Sequence, residues 1–386
     1  MTTQAAQANP KSRLDFLDFI RFAAMVLMVQ GHTLDALVRP DQLDITRYPW
    51  SHWHALRGLT APIFLMLSGT VGMLSLKRND SGRVRFSQLR HRTLWAFSII
   101  ALGYFLVFPA NRLADLRWLS PDVWQHFLQV NILHLNGLCL LILMGLAALT
   151  RSERALAAAS VGLGLALFLG APLMQSVDWF RILPEALAAY LSPVHGSLFP
   201  LFPHGAYMFL GVGLGHYLKH IPREEAPRAF RRACAAVAAT AALATLLLAP
   251  FSPPPFKDPF GANPAFSMVR LALVMPLIAG ISLLPEWMPK LTVPGAFLGR
   301  KSLQVYVGHL LLLYGLPWTP GLASGHFKAL GLPGGLAALA SLAWPNRYLT
   351  EVRILPDLGR AGAGSARMGI WAPVAPPRPQ PSGAVL

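Results

Sequence analysis

Arg21 and His32 lie eleven residues apart in the stretch Leu14–Leu34, which is otherwise almost wholly apolar. At about 100° per residue, eleven steps along an α-helix return nearly to the same azimuth after a rise of roughly 16 Å. The spacing predicts one helix face carrying Asp18, Arg21, Met25, Met28, His32 and Asp35 at intervals of three and four. An arginine inside a membrane span costs about 2.5–3.5 kcal/mol on insertion scales, so an ionisable stripe there is a first candidate for function. Asp18 can pair with Arg21, and Asp35, one turn beyond His32, can orient or charge-tune the imidazole. A histidine titrates near neutrality and suits the removal of a proton from a hydroxyl or an amine. The plain alternatives are a histidine meeting interfacial water, an arginine snorkelling to the headgroups, and a structural Asp18–Arg21 pair.

Other residues compete for the same role. Trp50-Ser51-His52-Trp53-His54 comes after the first apolar segment. It reads either as an aromatic belt or as a glycan-binding surface, with Trp50 and Trp53 stacking on sugar rings and His54 a second candidate base. Asn131, His134 and Asn136 punctuate another apolar run, and His195, His204, His216, Tyr306 and His309 recur further on. Polar groups in spans usually bond to neighbouring helices, so a structural role is the first expectation for these. Cys139 and Cys234 read as small buried hydrophobes, and no metal-binding spacing is evident, so neither disulfide nor metal is expected. Phosphate-binding glycine loops and nucleophile elbows are likewise absent from the sequence.

The elements that must hold these groups can be read from composition. The 386 residues are 54% hydrophobic and 13% charged, which excludes an ordinary soluble domain. Apolar segments predict an all-α polytopic bundle of about ten transmembrane helices near 15–34, 59–76, 93–109, 128–149, 155–173, 199–218, 233–250, 267–284, 302–318 and 330–344. Glycines within them, such as Gly211, Gly213 and Gly215, read as helix-packing positions. The first run comes after Lys11 and Arg13, is long and lacks a small-residue cleavage site, so it reads as a retained span. Three regions are expected: a cytoplasmic segment 1–13, a membrane domain 14–344, and a disordered or peripheral tail 345–386. With the amino terminus inside, 23 Lys and Arg fall in cytoplasmic segments and eight in the opposite loops. That bias predicts both termini in the cytoplasm and His32 toward the outer face of the cell membrane. The net charge of +16 then reflects topology and anionic lipid, with no nucleic acid required. The patch Lys77, Arg78, Arg83, Arg85, Arg90 and Arg92 is either a topogenic anchor or an attractor for a phosphate-bearing cytoplasmic molecule.

Leu17-Asp18-Phe19-Ile20-Arg21, with His32 eleven residues beyond the arginine, resembles the opening of the membrane acyltransferase superfamily. That group joins the acyltransferase-3 family and the heparan-alpha-glucosaminide N-acetyltransferase catalytic family. Ala61-Pro62-Ile63-Phe64-Leu65-Met66-Leu67-Ser68-Gly69 is similar to its second-span signature, and Arg83–Arg92 to the basic run after that span. Leu298-Gly299-Arg300-Lys301-Ser302-Leu303-Gln304-Val305-Tyr306-Val307-Gly308-His309 resembles the late-span signature. Ile132-Leu133-His134-Leu135-Asn136-Gly137-Leu138 and Phe202-Pro203-His204-Gly205-Ala206-Tyr207 lean toward the N-acetyltransferase branch. The chain departs from the pattern at Phe22, where glycine is usual, and in its short first outer loop. The acyltransferase-3 branch keeps its catalytic histidine at the end of the first span, as His32 would be. The N-acetyltransferase branch keeps it in the outer loop, as His54 would be.

The resemblance implies an acyl-CoA-dependent acyltransferase. The donor, acetyl-CoA most often, would dock from the cytoplasm against Arg21, Arg83, Arg85, Arg90 and Arg92. An amine or hydroxyl of an extracytoplasmic glycan would approach from outside, and histidine would remove its proton directly or pass through an acyl-imidazole. The competing reading is a proton-coupled transporter using the Asp18/Arg21/His32 stripe. Carriers commonly show related halves, and no internal repeat is visible here.

Overall fold

A computed structural model describes residues 14–39, 42–251 and 262–322, all within a unit spanning residues 1–354. The tenth predicted span and the tail lie outside the described residues.

The described residues are mostly helical, with one hairpin of two short strands. Helix α1 (Asp15–Leu37) carries the ionisable stripe, and α2 (Trp50–Arg57) leads into α3 (Thr60–Leu74). Helices α4 (Phe86–Leu106), α5 (Pro121–Leu128) and α6 (Ile132–Leu149) come next. Asn131 caps α6: its side chain accepts from Leu133 and His134 N–H groups, while His134 Nδ1 accepts from the Asn131 N–H. That capping box starts the helix four residues later than the hydrophobic run predicts. Ser152 caps α7 (Glu153–Leu169). Short helices α8 (Ala171–Ser176), α9 (Glu185–Ala188) and α10 (Leu201–His204) precede α11 (Ala206–Lys219) and α12 (Ala226–Leu248). Then come α13 (Pro264–Ile281), α14 (Leu284–Trp287), α15 (Pro289–Arg300) and α16 (Ser302–Tyr314).

Each of the first nine predicted spans overlaps a helix, and the differences lie at their edges and in the segments between them. The run 302–318 stops being helical at Tyr314, where Gly315 takes φ +71° and begins a hairpin closed at Thr319–Pro320. Residues 285–301, expected to be a loop, hold α15. Pro289 takes the first helical position, where proline fits; Pro294, Gly295 and Gly299 are poor helix formers inside it, yet the two glycines let it lie against α1. A Cβ at Gly299 would stand 1.8 Å from the Asp18 carbonyl oxygen, and one at Gly295 2.7 Å from the Phe19 ring.

Among the described residues, four helical segments are long and apolar enough to cross a membrane: Trp50–Leu74, Ile132–Leu149, Ala226–Phe251 and Pro264–Trp287. Other predicted spans fall short on polarity or on length. Helix α1 loses hydropathy to Arg21, Gln30, His32 and Asp35, and α7, α11 and α16 have 17, 14 and 13 residues. Only 11% of the most apolar window of Ala226–Phe251 is buried, so Leu243, Leu246 and Leu247 face outward. A helix that apolar and that uncovered belongs against hydrocarbon.

The centre is the crossing of α3 and α11. Gly69, Gly211 and Gly215 bring the two backbones together: an added Cβ would stand 1.9 Å from Met208 O, 2.1 Å from Met66 O and 2.4 Å from Thr70 O. Thr70 Oγ1 donates to Gly211 O across the contact at 3.0 Å. Small residues four apart that let helices touch are the expected glue where no hydrophobic drive operates between spans. Gly213 faces Val161 of α7 instead. Cys139 and Cys234 are buried and unpaired.

Candidate active site

Asp18 anchors the stripe. It is 7% exposed, lies 3.6 Å from Arg21 Nη1 and 3.8 Å from Arg300 Nη1, and sits beneath Gly299. The first and last motifs of the sequence therefore meet at one carboxylate. Arg21 also reaches the Leu67 carbonyl at 3.4 Å.

Arg21 then lines a cavity of about 260 Å³ with Ser68, Trp95, Asn136, Ser302 and Tyr306, among apolar neighbours that include Met28. Asn136 Oδ1 is buried there without a hydrogen-bond partner among the described residues. His134, close by in the first turn of α6, is used differently. It is fully buried, completes the α6 cap and fills the space left by Gly103, 4.0 Å from the Tyr104 ring.

Met28 also lines a second cavity, of about 290 Å³, with His32, His54, Arg57, Thr60, His204 and Arg270. The two histidines that compete in the sequence thus face one space. What reads as a loop is helix α2, which brings His54 there together with Arg57. Asp35, expected from the helix spacing to orient or charge-tune His32, is engaged by Arg57. Both its oxygens accept from Arg57, which crosses α1 at Gly31 and covers the face of Trp53 at 4.9 Å. Trp50 packs perpendicular to Trp53 at 6.0 Å. From this helix the cavity wall draws on His54 and Arg57, while Trp53 backs Arg57 and Trp50 packs on Trp53.

The partner of His32 is His309, from the late motif. His32 Nδ1 lies 3.0 Å from His309 Nε2, and His309 Nδ1 lies 3.1 Å from the Val305 carbonyl. A carbonyl only accepts, so His309 Nδ1 carries a hydrogen. With both rings uncharged, His309 Nε2 is then a lone pair, and His32 Nδ1 must donate to it. The chain of two bonds leaves His32 Nε2 with its lone pair free, the tautomer a general base needs. Tyr306, one turn before His309, stands beside both rings, at separations of 6.4 Å from His32 and 5.4 Å from His309. His309 and Tyr306, expected to be structural, are thus ring neighbours of the imidazole.

Arg57 and Arg270 stand outside the candidates drawn from the sequence. Arg270 stands inside the apolar run 267–284, the same signal that singled out Arg21, and it was legible there. Arg57 could not be found that way, since its place depends on how α2 folds back over Gly31.

The basic patch divides. Arg83, Arg85 and Arg90 are exposed at the start of α4. Arg92 donates to Gly72 O at 3.0 Å and Ser75 Oγ at 2.8 Å, closing the end of α3. Arg78 similarly donates to Thr150 O, and Lys219 to Leu76 O. The basic loops after α3, α6 and α11 therefore meet at one end of the bundle.

No curated protein matches the chain. Residues 13–248 match the family described as heparan-alpha-glucosaminide N-acetyltransferase, catalytic. That range holds Arg21, His32, His54 and Asn136, while Arg270, Tyr306 and His309 lie beyond it. Over that majority of its length, with the stripe of α1 and the helix that carries His54 both inside the match, the chain belongs to the heparan-alpha-glucosaminide N-acetyltransferase catalytic family.

Proposed function

We propose that the protein is a polytopic membrane acyltransferase that moves an acetyl group from acetyl-CoA to an amine or hydroxyl of a glycan on the opposite side of the cell membrane. The observation that carries this reading is the pair of cavities that share Met28, one holding Arg21 and the other His32 and His54. A donor entering at the basic end has Arg83, Arg85 and Arg90 for its phosphates. Its pantetheine amides have Arg21, Ser68 and the unpartnered Asn136 Oδ1 along an otherwise apolar passage. The roughly 16 Å from Arg21 to His32 is within reach of an extended pantetheine arm. His32 Nε2 takes the proton of the acceptor as the acceptor nitrogen or oxygen forms its bond to the thioester carbon. The carbon–sulfur bond then breaks, and the thiolate leaves as CoA. His309 holds the imidazole and shares the positive charge that develops on it. Arg57 and Arg270 border the same space as cations that favour a developing oxyanion. Ten spans, cytoplasmic termini and placement in the inner or plasma membrane belong to this proposal, supported by the 23-to-8 distribution of basic residues.

The test uses purified full-length protein in vesicles with radiolabelled acetyl-CoA and a glucosamine-terminated oligosaccharide. Label on the sugar with equal release of CoA is expected. Uptake of the sugar without any CoA release would overturn the reading and make the protein a carrier.

A further inference from the structure

His216-Tyr217-Leu218-Lys219-His220 places two imidazoles one helical turn apart at the end of α11. Residues four apart share a helix face, and the two rings stand 4.8 Å apart, at a steep angle to one another. Glu153, the first residue of α7, comes up beside them, so that one ligand atom from each of Glu153, His216 and His220 lies within 4.8 Å of the others. We propose that these three side chains form a divalent-cation site, suited to zinc, at the basic end of the bundle.

Three features support it. Two imidazoles and a carboxylate are a donor set that zinc accepts in tetrahedral geometry, with a water as fourth ligand. At zinc–ligand bonds of about 2.0–2.1 Å, tetrahedral ligand atoms are about 3.4 Å apart, so side-chain rotations closing gaps of order 1 Å complete the site. His220 is exposed and comes after the last helical residue, which leaves it room to turn. His216 Nδ1 is buried without a hydrogen-bond partner among the described residues, a cost that a metal bond at Nδ1 would remove.

Lys219 argues the other way and sharpens the test. Its amine pairs with one oxygen of Glu153 and donates to Leu76 O at 2.7 Å. A metal would take the remaining carboxylate oxygen and compete with that ammonium for the charge. The site would clip the start of α7 to the end of α11, beside the glycine-mediated crossing, without touching either cavity.

The experiment titrates Co²⁺ into full-length, tag-free, chelator-treated protein in detergent. One equivalent per chain is expected, with the visible absorption of a four-coordinate nitrogen–oxygen site that Zn²⁺ then displaces. His220→Ala should weaken Co²⁺ binding by at least about tenfold, and Lys219→Ala should tighten it. Zn²⁺ should raise the thermal midpoint of the unaltered protein and not that of the His216→Ala/His220→Ala double variant. Absence of a saturable one-equivalent spectrum in the unaltered protein would overturn the site. So would a spectrum that persists unchanged in the double variant.

Discussion

His309→Leu tests whether the histidine pair sets the catalytic tautomer. Leucine is close to histidine in volume, and His309 is 3% exposed, so the change mainly removes the acceptor of the His32 Nδ1–H bond. Before proton transfer that bond is neutral and worth about 0.5–1.5 kcal/mol; once His32 is an imidazolium it is charge-assisted and worth about 1.5–3 kcal/mol. Only the difference, roughly 1–1.5 kcal/mol, acts on the barrier, which is about a tenfold loss of kcat. Loss of tautomer control, since the freed ring can then carry its hydrogen on Nε2, extends the expected range to about 10–100-fold. KM for acetyl-CoA should stay nearly constant, because His309 does not line the Arg21 cavity. His309→Gln restores an oxygen that can accept from His32 and should recover most of the activity, which a merely space-filling role would not predict. The assay is steady-state acetyl transfer at saturating acceptor, with thermal unfolding of each variant as control. A well-folded His309→Leu protein with full kcat would refute the tautomer reasoning and move attention to His54.

Three further outcomes are expected. His32→Ala should lower turnover by about 10²–10⁴-fold, the usual worth of a positioned base, and His54→Ala by much less; the reverse order in the same transfer assay would make His54 the base. Arg21→Ala should raise KM for acetyl-CoA more than it lowers kcat, with its thermal midpoint reporting any loss of the Asp18 contact; an unchanged KM would detach Arg21 from the donor. Gly211→Ala should destabilise the protein by about 1–3 kcal/mol or more, as overpacking does, because its methyl would meet the Met66 backbone at 2.1 Å. Unchanged thermal unfolding would show the crossing to be loose.

The helical class, nine of the segments that become helices, and the line of Asp18, Arg21, Met28 and His32 along one face can be read from the sequence. Those features rest on hydropathy and on the 3.6-residue period, which are local properties of the chain. It also marked Gly299-Arg300 and His309 as a motif, without saying what they touch. Packing brings Gly299 onto Asp18, His309 beside His32, and Arg57 against Asp35. These are contacts between residues 22 to about 280 positions apart, and no periodicity reports on a partner at that distance. Helix α15 went unread for a related reason. Pro294, Gly295 and Gly299 oppose a helix locally, and the close approach to α1 that favours the glycines exists only once the bundle is packed. His32 and His54 read as alternatives because one ends a span and the other stands beyond it; folding α2 back across Gly31 puts both on the wall of one cavity.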